Sequence, residues 1–420
     1  MLKQEKTSRQ NLDRQRQIAA IKNYLEQSEK KQTLLGAELE YFIVDKISKR
    51  SISYYETNGI ESLLQALVRL GFSPDAVAGH LLGVHNESLA ITLEPGAQWE
   101  ISLHPQANLE QLKQVFCDFL EILQPLLKQR GQELCSTGYL PASKISQVPI
   151  IPKNRYKLMH EYLSQTGKLA HNMMRGTASI QVAVDYHSET DFVEKMRLAC
   201  RLVPIFSAIY DNSNIFEAEP YQDFCLRTKI WNNCDDERCG VLPIIFEPDF
   251  GYVKYAEYIL QLVPILIKDQ QSELPFQEPF AAIFDLQQDV APQLDHIFSM
   301  CFPDVRARNY IELRMTDALP YPLSFAFIEL VEKIFNSAEI FRKVAKLLED
   351  IELAEINRAK QDIIVRGIAA DYAGKSILEH FRAIMQHISG RQLFQKHNYQ
   401  IAASGIIPRD MKAEGGKIVE

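Results

Sequence analysis

Glu38 and Glu40 stand two residues apart in the stretch LLGAELEYFIVD, residues 34–45. Side chains alternate along a strand, so both carboxylates point to one face, with their Cα atoms ~7 Å apart. Ala37, Leu39, Tyr41 and Ile43 point to the other face. Charged side chains are almost never buried unless paired or bound to a metal, so the acidic face is either wet or meets a cation. Three later stretches repeat the arrangement. In ITLEPGAQWEIS, Gln98 and Glu100 share a face opposite Trp99 and Ile101, and Glu94 stands just before the Pro95-Gly96 turn. In RGTASIQVAVDY, Thr177, Ser179, Gln181 and Asp185 oppose Ala178, Ile180, Val182 and Val184. In YIELRMTD, Glu312 and Arg314 share a face, with Ile311 and Leu313 behind them.

Any one of these strands fits an antiparallel sheet with one wet face. Together they gather like charges on a single face, which is unfavourable unless divalent cations compensate. Oxygen-only donors suit Mg²⁺ or Mn²⁺, and Mg²⁺ usually binds a few carboxylates plus substrate phosphates. The chain has no G-x-x-x-x-G-K-[ST] loop, so a carboxylate-lined sheet would hold the metal–nucleotide instead. Phosphoryl transfer also needs fixed cations. Arg314 lies two residues from Glu312, and RTKIWNNCDDERCG offers Arg227, Lys229 and Arg238 around Trp231, with Arg155 earlier in the chain. His85, His104, His160, His171 and His187 lack metal-ligand spacing, and Met173-Met174 reads as a packing pair. Cys234 and Cys239 flank DDER with no second pair to complete a zinc site. No nucleophile elbow is present.

The elements needed to carry these residues are legible around them. An amphipathic helix is expected over 8–31, a strand over 34–45, a helix over 60–71 and a hairpin over 80–104. A helix over 107–130 follows, then a Pro-rich linker (148–155), a helix near 156–167 and a strand over about 175–186. The helix over 189–210 should be interrupted by Pro204. Residues 211–250 read as a long functional loop region, followed by helices near 252–268 and 292–300, a strand at 310–316 and helices to about 390. Strands interleaved with helices and no clean linker argue for one α+β domain. The boundaries are an N-terminal helical extension (1–33), a catalytic domain (34–400) and a polar tail (401–420).

The 420 residues carry a net charge of −8, which argues against a nucleic-acid surface. No window is long and apolar enough to span a membrane, and the first 33 residues lack the apolar core of a signal peptide. Seven scattered cysteines suit a reducing cytoplasm. Cys225 and Cys234 lie near the expected site, but no charge pattern there lowers a thiol pKa. Oligomeric state is not encoded in any pattern of this kind.

The blocks GAELEYF, SLAITLEPGAQWEIS, PKNRYKLMHEYL, MMRGTASIQVAVDY, FCLRTKIWNNCDDERCGVLP and RNYIELRMTDALP occur in this order between about residues 34 and 375. Together they resemble the glutamate–cysteine ligase family of plants and proteobacteria. The resemblance implies a curved antiparallel sheet forming a bowl flanked by helices, like the catalytic domain of glutamine synthetase. It implies an ATP-dependent ligase that activates glutamate as γ-glutamyl phosphate and passes it to cysteine, the first step of glutathione biosynthesis. On this analogy Glu38, Glu40, Glu94, Glu100 and Glu312 match metal ligands. Arg314 matches the arginine at the transferred phosphate, with Arg238 beside it in a catalytic role. Arg227 matches the holder of the glutamate α-carboxylate, and Thr177, Gln181 and Trp231 line the substrate site. The chain departs from the family at LEPGAQ (Ala97 for a glycine), AVD (183–185), NSNIF (212–216) and RMTD (314–317). These departures lie near the site and leave the acceptor open between cysteine and another amine. A non-catalytic member that binds nucleotide or glutamate is the third alternative.

Overall fold

The alternation in residues 34–45 becomes an 11-residue strand, β1 (Leu35–Asp45), in a computed structural model that describes residues 2–269 and 272–388. Helix α1 (Leu2–Gln27) precedes it and is not detached. Ile21 and Leu25 are fully buried, and Gln17 Nε2 donates to the Ala281 and Phe284 carbonyls at 2.8 and 3.1 Å. After β1 come α2 (Ile60–Arg69), β2 (Ser73–Val77), β3 (His80–His85), β4 (Leu89–Leu93), β5 (Trp99–Gln106), α3 (Leu109–Gln129) and β6 (Gln132–Cys135). Next are α4 (Asn154–Leu163), α5 (Ala170–Gly176), β7 (Ser179–Val184), α6 (Glu189–Ile209) and α7 (Leu226–Trp231). The set closes with α8 (Tyr252–Gln261), α9 (Val290–Phe298), β8 (Val305–Ala307), β9 (Ile311–Asp317), α10 (Leu323–Asn336), α11 (Ala338–Leu348), α12 (Leu353–Arg366) and α13 (Ile377–His387).

The nine strands form one antiparallel sheet in the order β8-β9-β7-β1-β5-β4-β3-β2, with β6 paired to the C-terminal half of β1. A large antiparallel sheet with flanking helices in an α+β fold is what the sequence led us to expect. Three of the four strands that carry the acidic and amide residues, β7, β1 and β5, are neighbours at its centre, and β9 adjoins them. Their apolar faces are buried under α3, α6 and α10 (Leu39, Trp99, Ile101, Ile180, Val182 and Leu313 are at most 1% exposed). Helices α4, α5 and α7 close over the opposite, polar face.

Pro204 does not interrupt α6, which runs unbroken for 21 residues. A proline inside a helix costs ~3 kcal/mol, and here every residue from Leu202 to Ile209 is buried in the core, so packing offsets the lost hydrogen bond. The expected hairpin over 80–104 is a three-stranded meander. The region 211–250 holds the short helix α7 and two-residue strands rather than pure loop. The polar tail over 401–420 lies outside the described residues.

Candidate active site

Register brings the acidic strands into one array. Glu40 of β1 lies directly opposite Glu100 of β5, which lies opposite Thr92 of β4. Glu38 lies between Ser102 of β5 and Gln181 of β7. On β9 the register against β7 slips between Leu313 and Thr316, so one extra residue is accommodated at Arg314–Met315. Such bulges re-aim side chains next to functional sites, and this one falls at Arg314.

These side chains line a cavity of about 260 Å³ on the polar face. Four carboxylates, Glu38, Glu40, Glu94 and Glu100, and five arginines, Arg155, Arg227, Arg306, Arg308 and Arg314, carry the charge of its lining. Thr177, Gln181 and Trp231 also line it. A second cavity of about 310 Å³ adjoins it, shares Glu38 and Gln181, and adds Tyr310 and Glu312. Met173 and Met174, expected to be packing residues, line the first cavity beside Tyr156.

Glu40 is held by three donors: Ser179 N at 2.7 Å, Ser179 Oγ at 3.0 Å and Gln181 Nε2 at 2.9 Å. The Gln181 oxygen in turn accepts from Arg314 Nη1. Glu100 accepts from Thr92 Oγ1 at 2.5 Å and Ser102 Oγ at 3.3 Å. Burial and the facing carboxylates push three of these acids upward. Glu38 moves well above its ordinary range, by burial and then Glu100 and Glu312. Glu94 rises to about 7, by burial and Glu40, and Glu100 to about 8, by burial and then Glu94 and Glu40. Glu38, Glu94 and Glu100, whose ionisation is opposed by burial and by one another, are a donor set that a divalent cation would relieve, and all the donors are oxygen. Among the described residues no three His, Cys, Asp or Glu side chains are gathered closely enough to cage an ion by themselves.

Glu312 differs from the other four. Arg306 Nε at 2.8 Å, Arg306 Nη2 at 2.7 Å and Arg314 Nη1 at 3.1 Å all fall on its Oε2. Burial alone would raise this carboxyl, but the guanidiniums of Arg306, Arg314 and Arg308 hold it down to about 2. Its Oε1 has no partner among the described residues. Arg227 is buried, spans 5.0 Å to the Trp231 ring, and donates one nitrogen to the Arg314 carbonyl at 3.0 Å. Its other terminal nitrogen, Nη1, is buried without a hydrogen bond, as is Trp231 Nε1. A buried guanidinium nitrogen with no partner beside an open cavity is suited to an anionic ligand.

One expectation is corrected. Arg238 does not line the cavity: its guanidinium is spent on Asp235 at 3.1 Å and on the Val263 and Met300 carbonyls at 2.6 and 3.3 Å, so it braces the segment after α7. Thr177 lines the cavity as expected, and its hydroxyl donates to the Met173 carbonyl at 2.8 Å. Two residues went unremarked in the sequence. Arg306 and Arg308 alternate in VRARNY and share a face of β8 and its extension, the same period-two signal that marks β1. No helix among the described residues is long and apolar enough to cross a membrane.

The chain is 26% identical over 361 residues to a chloroplastic glutamate–cysteine ligase A of Oryza sativa subsp. japonica, covering 84% of this chain and 73% of the rice protein. The Arabidopsis thaliana chloroplastic glutamate–cysteine ligase is 26% identical over 356 residues, covering 82% and 67%. A solved glutamate–cysteine ligase of Francisella tularensis in complex with AMP aligns over 92% of this chain and 84% of its own, at 13% identity and a TM-score of 0.49. Residues 34–382, which contain every strand of the sheet and both joined cavities except Lys30, match the model of glutamate–cysteine ligase family 2, and the chain belongs to that family.

Proposed function

We propose that this chain joins the γ-carboxylate of glutamate to the amine of cysteine at the expense of ATP. A free carboxylate is a poor acyl donor, because its leaving group would be oxide. In the proposed reaction a γ-carboxylate oxygen attacks the γ-phosphorus of ATP and ADP departs. The cysteine amine then attacks the resulting acyl phosphate, loses a proton and expels phosphate, giving γ-glutamylcysteine.

The observation that carries this reading is one cavity with four carboxylates and five arginines in its lining. Such a site can hold divalent cations and a polyanion at once. Mg²⁺ or Mn²⁺ held by Glu38, Glu40, Glu94 and Glu100, with Glu312 offering its free oxygen, would neutralise phosphate oxygens and favour in-line transfer. Arg314 and Arg306, steadied by Glu312, meet the charge of the transferred phosphoryl group. Arg227, with its unpartnered nitrogen and its stack on Trp231, holds the α-carboxylate of glutamate. Gln181 links the two halves of the site, because it bonds both Glu40 and Arg314. Arg238 acts from outside by fixing the segment that bears Trp231, and Thr177 lines the substrate side of the cavity.

We place the reaction in a reducing cytoplasm, in keeping with seven free cysteines, of which Cys225 and Cys234 are buried with thiols pushed upward. The deciding experiment supplies ATP, Mg²⁺, glutamate and a panel of amines and follows ADP and the coupled product. ADP release that depends on cysteine is expected. Release with a different amine and not with cysteine moves the assignment to another γ-glutamyl ligase, and silence with every amine rejects catalysis.

A further inference from the structure

β1 has a second face. Behind Glu38 and Glu40 a cavity of about 510 Å³ opens between β1, α3, β6 and the Pro320–Tyr321 turn that follows β9. Small-molecule sites commonly span ~300–1,000 Å³. Tyr41, Phe116, Leu120, Leu123 and Leu127 form its apolar wall, and Tyr321 stands over one side. The rings are continuous: Phe116 lies 6.4 Å from Tyr41 and 6.0 Å from Tyr321 between centroids.

The polar groups in this wall are incomplete. Tyr41 is 3% exposed and Gln132 is 5% exposed. Both line the cavity, and Gln132 Oε1 is buried without a hydrogen bond. The Tyr41 phenol has the Ser324 hydroxyl beside it as a partner. The Gln132 amide nitrogen is already committed to the Asn58 carbonyl at 2.7 Å, so an acceptor is what remains. Buried polar atoms are nearly always satisfied, and an orphan acceptor in this wall points to a missing partner with a donor. The rim is cationic. Lys46 and Lys128 are exposed there and neither pairs with a carboxylate among the described residues. The one acid at the rim, Glu133, is taken by Lys49 at 2.5 Å.

We propose that this cavity binds a small aromatic monocarboxylate that carries a hydrogen-bond donor on its ring. The ring fills the apolar wall, its donor meets Gln132 Oε1, and its carboxylate reaches Lys46 or Lys128. Because Tyr41 adjoins Glu40 on β1, and the Pro320–Tyr321 turn leaves the strand that bears Arg314, the occupant sits against the two strands that build the active site.

The test uses 3-(4-hydroxyphenyl)propanoate as the probe and its methyl ester as the uncharged control, titrated into the full chain by calorimetry. Saturable binding of the acid is expected, with the ester about 10-fold weaker or more. The exposed double variant Lys46→Glu/Lys128→Glu should lose affinity by a similar factor with unchanged ligase turnover and an unchanged Tm. Leu120→Trp, which fills the cavity from a half-buried position, should abolish binding. Arg227→Ala, which removes a cation of the other cavity, should leave it in place. No saturable binding at millimolar acid, equal binding of acid and ester, or loss in Arg227→Ala with retention in the lysine variant overturns the proposal. Every readout is direct binding, so the result stands apart from whether the chain ligates cysteine.

Discussion

Glu40 is the acid whose protein contacts best separate catalysis from folding. Its two oxygens accept from Ser179 N, Ser179 Oγ and Gln181 Nε2, so the carboxylate is oriented before any ligand arrives. In Glu40→Gln the side-chain carbonyl can keep the Ser179 contacts while the charge is lost. Turnover is expected to fall by roughly 10²–10⁴-fold, on the scale of removing one preorganised electrostatic contact, with Tm shifting by only a few degrees. Near-normal steady-state turnover would reject a metal-holding role for this residue. Arg227 makes a different expectation. Arg227→Lys keeps the charge but loses the planar fork and the stack on Trp231, so KM for glutamate should rise about 10-fold or more while KM for ATP stays within about twofold. A rise confined to ATP would place Arg227 at the nucleotide instead.

At the scale of elements, the turn between β4 and β5 shows how a local departure is tolerated. Pro95-Gly96-Ala97 brings Glu94 and Glu100 to the same cavity, and Ala97 sits at φ +65°, a conformation that an L side chain adopts only with strain. Gly96 has no room for a side chain, since a Cβ there would stand 2.5 Å from the Arg175 carbonyl oxygen of α5. Ala97→Gly relieves the strain at some cost in unfolded-state entropy, so a net gain of roughly 0.5–1 kcal/mol is expected, read as a raised urea midpoint with an unchanged m-value. A lowered midpoint would show that the Ala97 methyl, which is buried, contributes more by packing than its backbone loses. The same element-level view explains what was legible in the sequence. β1, β5, β7 and β9 announce themselves by period-two alternation, because each has one face on the helices and one on the cavity. Their adjacency depends on long-range register, which no local pattern carries. β8 is three residues long, too short for alternation to stand out, and so Arg306 and Arg308 were missed although Arg306 holds Glu312. Arg238 was misplaced for the opposite reason: a basic residue near the active site looks the same in sequence whether it faces the cavity or braces a loop. Pro204 is a breaker signal that says nothing of the core surrounding it.

At the scale of the whole molecule, the acid side of pH should favour this fold more than its site alone suggests. Asp211, just after α6, and Asp317, at the end of β9, face each other across the seam between the helical layer and the sheet. Asp317 Oδ2 accepts from Asn212 N and Ser213 Oγ at 2.7 Å each, and Asp211 Oδ2 accepts from Cys225 N at 2.8 Å. Each has an Oδ1 with no donor from elsewhere in the protein, and one proton shared between the pair satisfies both. Burial, then the Asp317 charge, pushes Asp211 up to about 8, and burial raises Asp317 as well. A carboxyl whose pKa is higher in the folded chain than in the unfolded one binds more protons when folded. Its contribution is therefore fully present below an unfolded pKa near 4 and is lost as pH rises to about 8. Glu94 and Glu100 are raised with the same sign and add to the slope. Asp211→Asn separates the pair from the site, because an amide can still accept from Cys225 N and can donate permanently to Asp317. Urea unfolding at pH 5 and pH 8 is expected to show the wild type losing stability on the order of a few kcal/mol, since each tenfold change in proton affinity on folding is worth ~1.4 kcal/mol. The variant should lose clearly less and be the more stable of the two at pH 8. Parallel losses in the two proteins would mean that the seam holds no shared proton and that the slope belongs to the active-site glutamates alone.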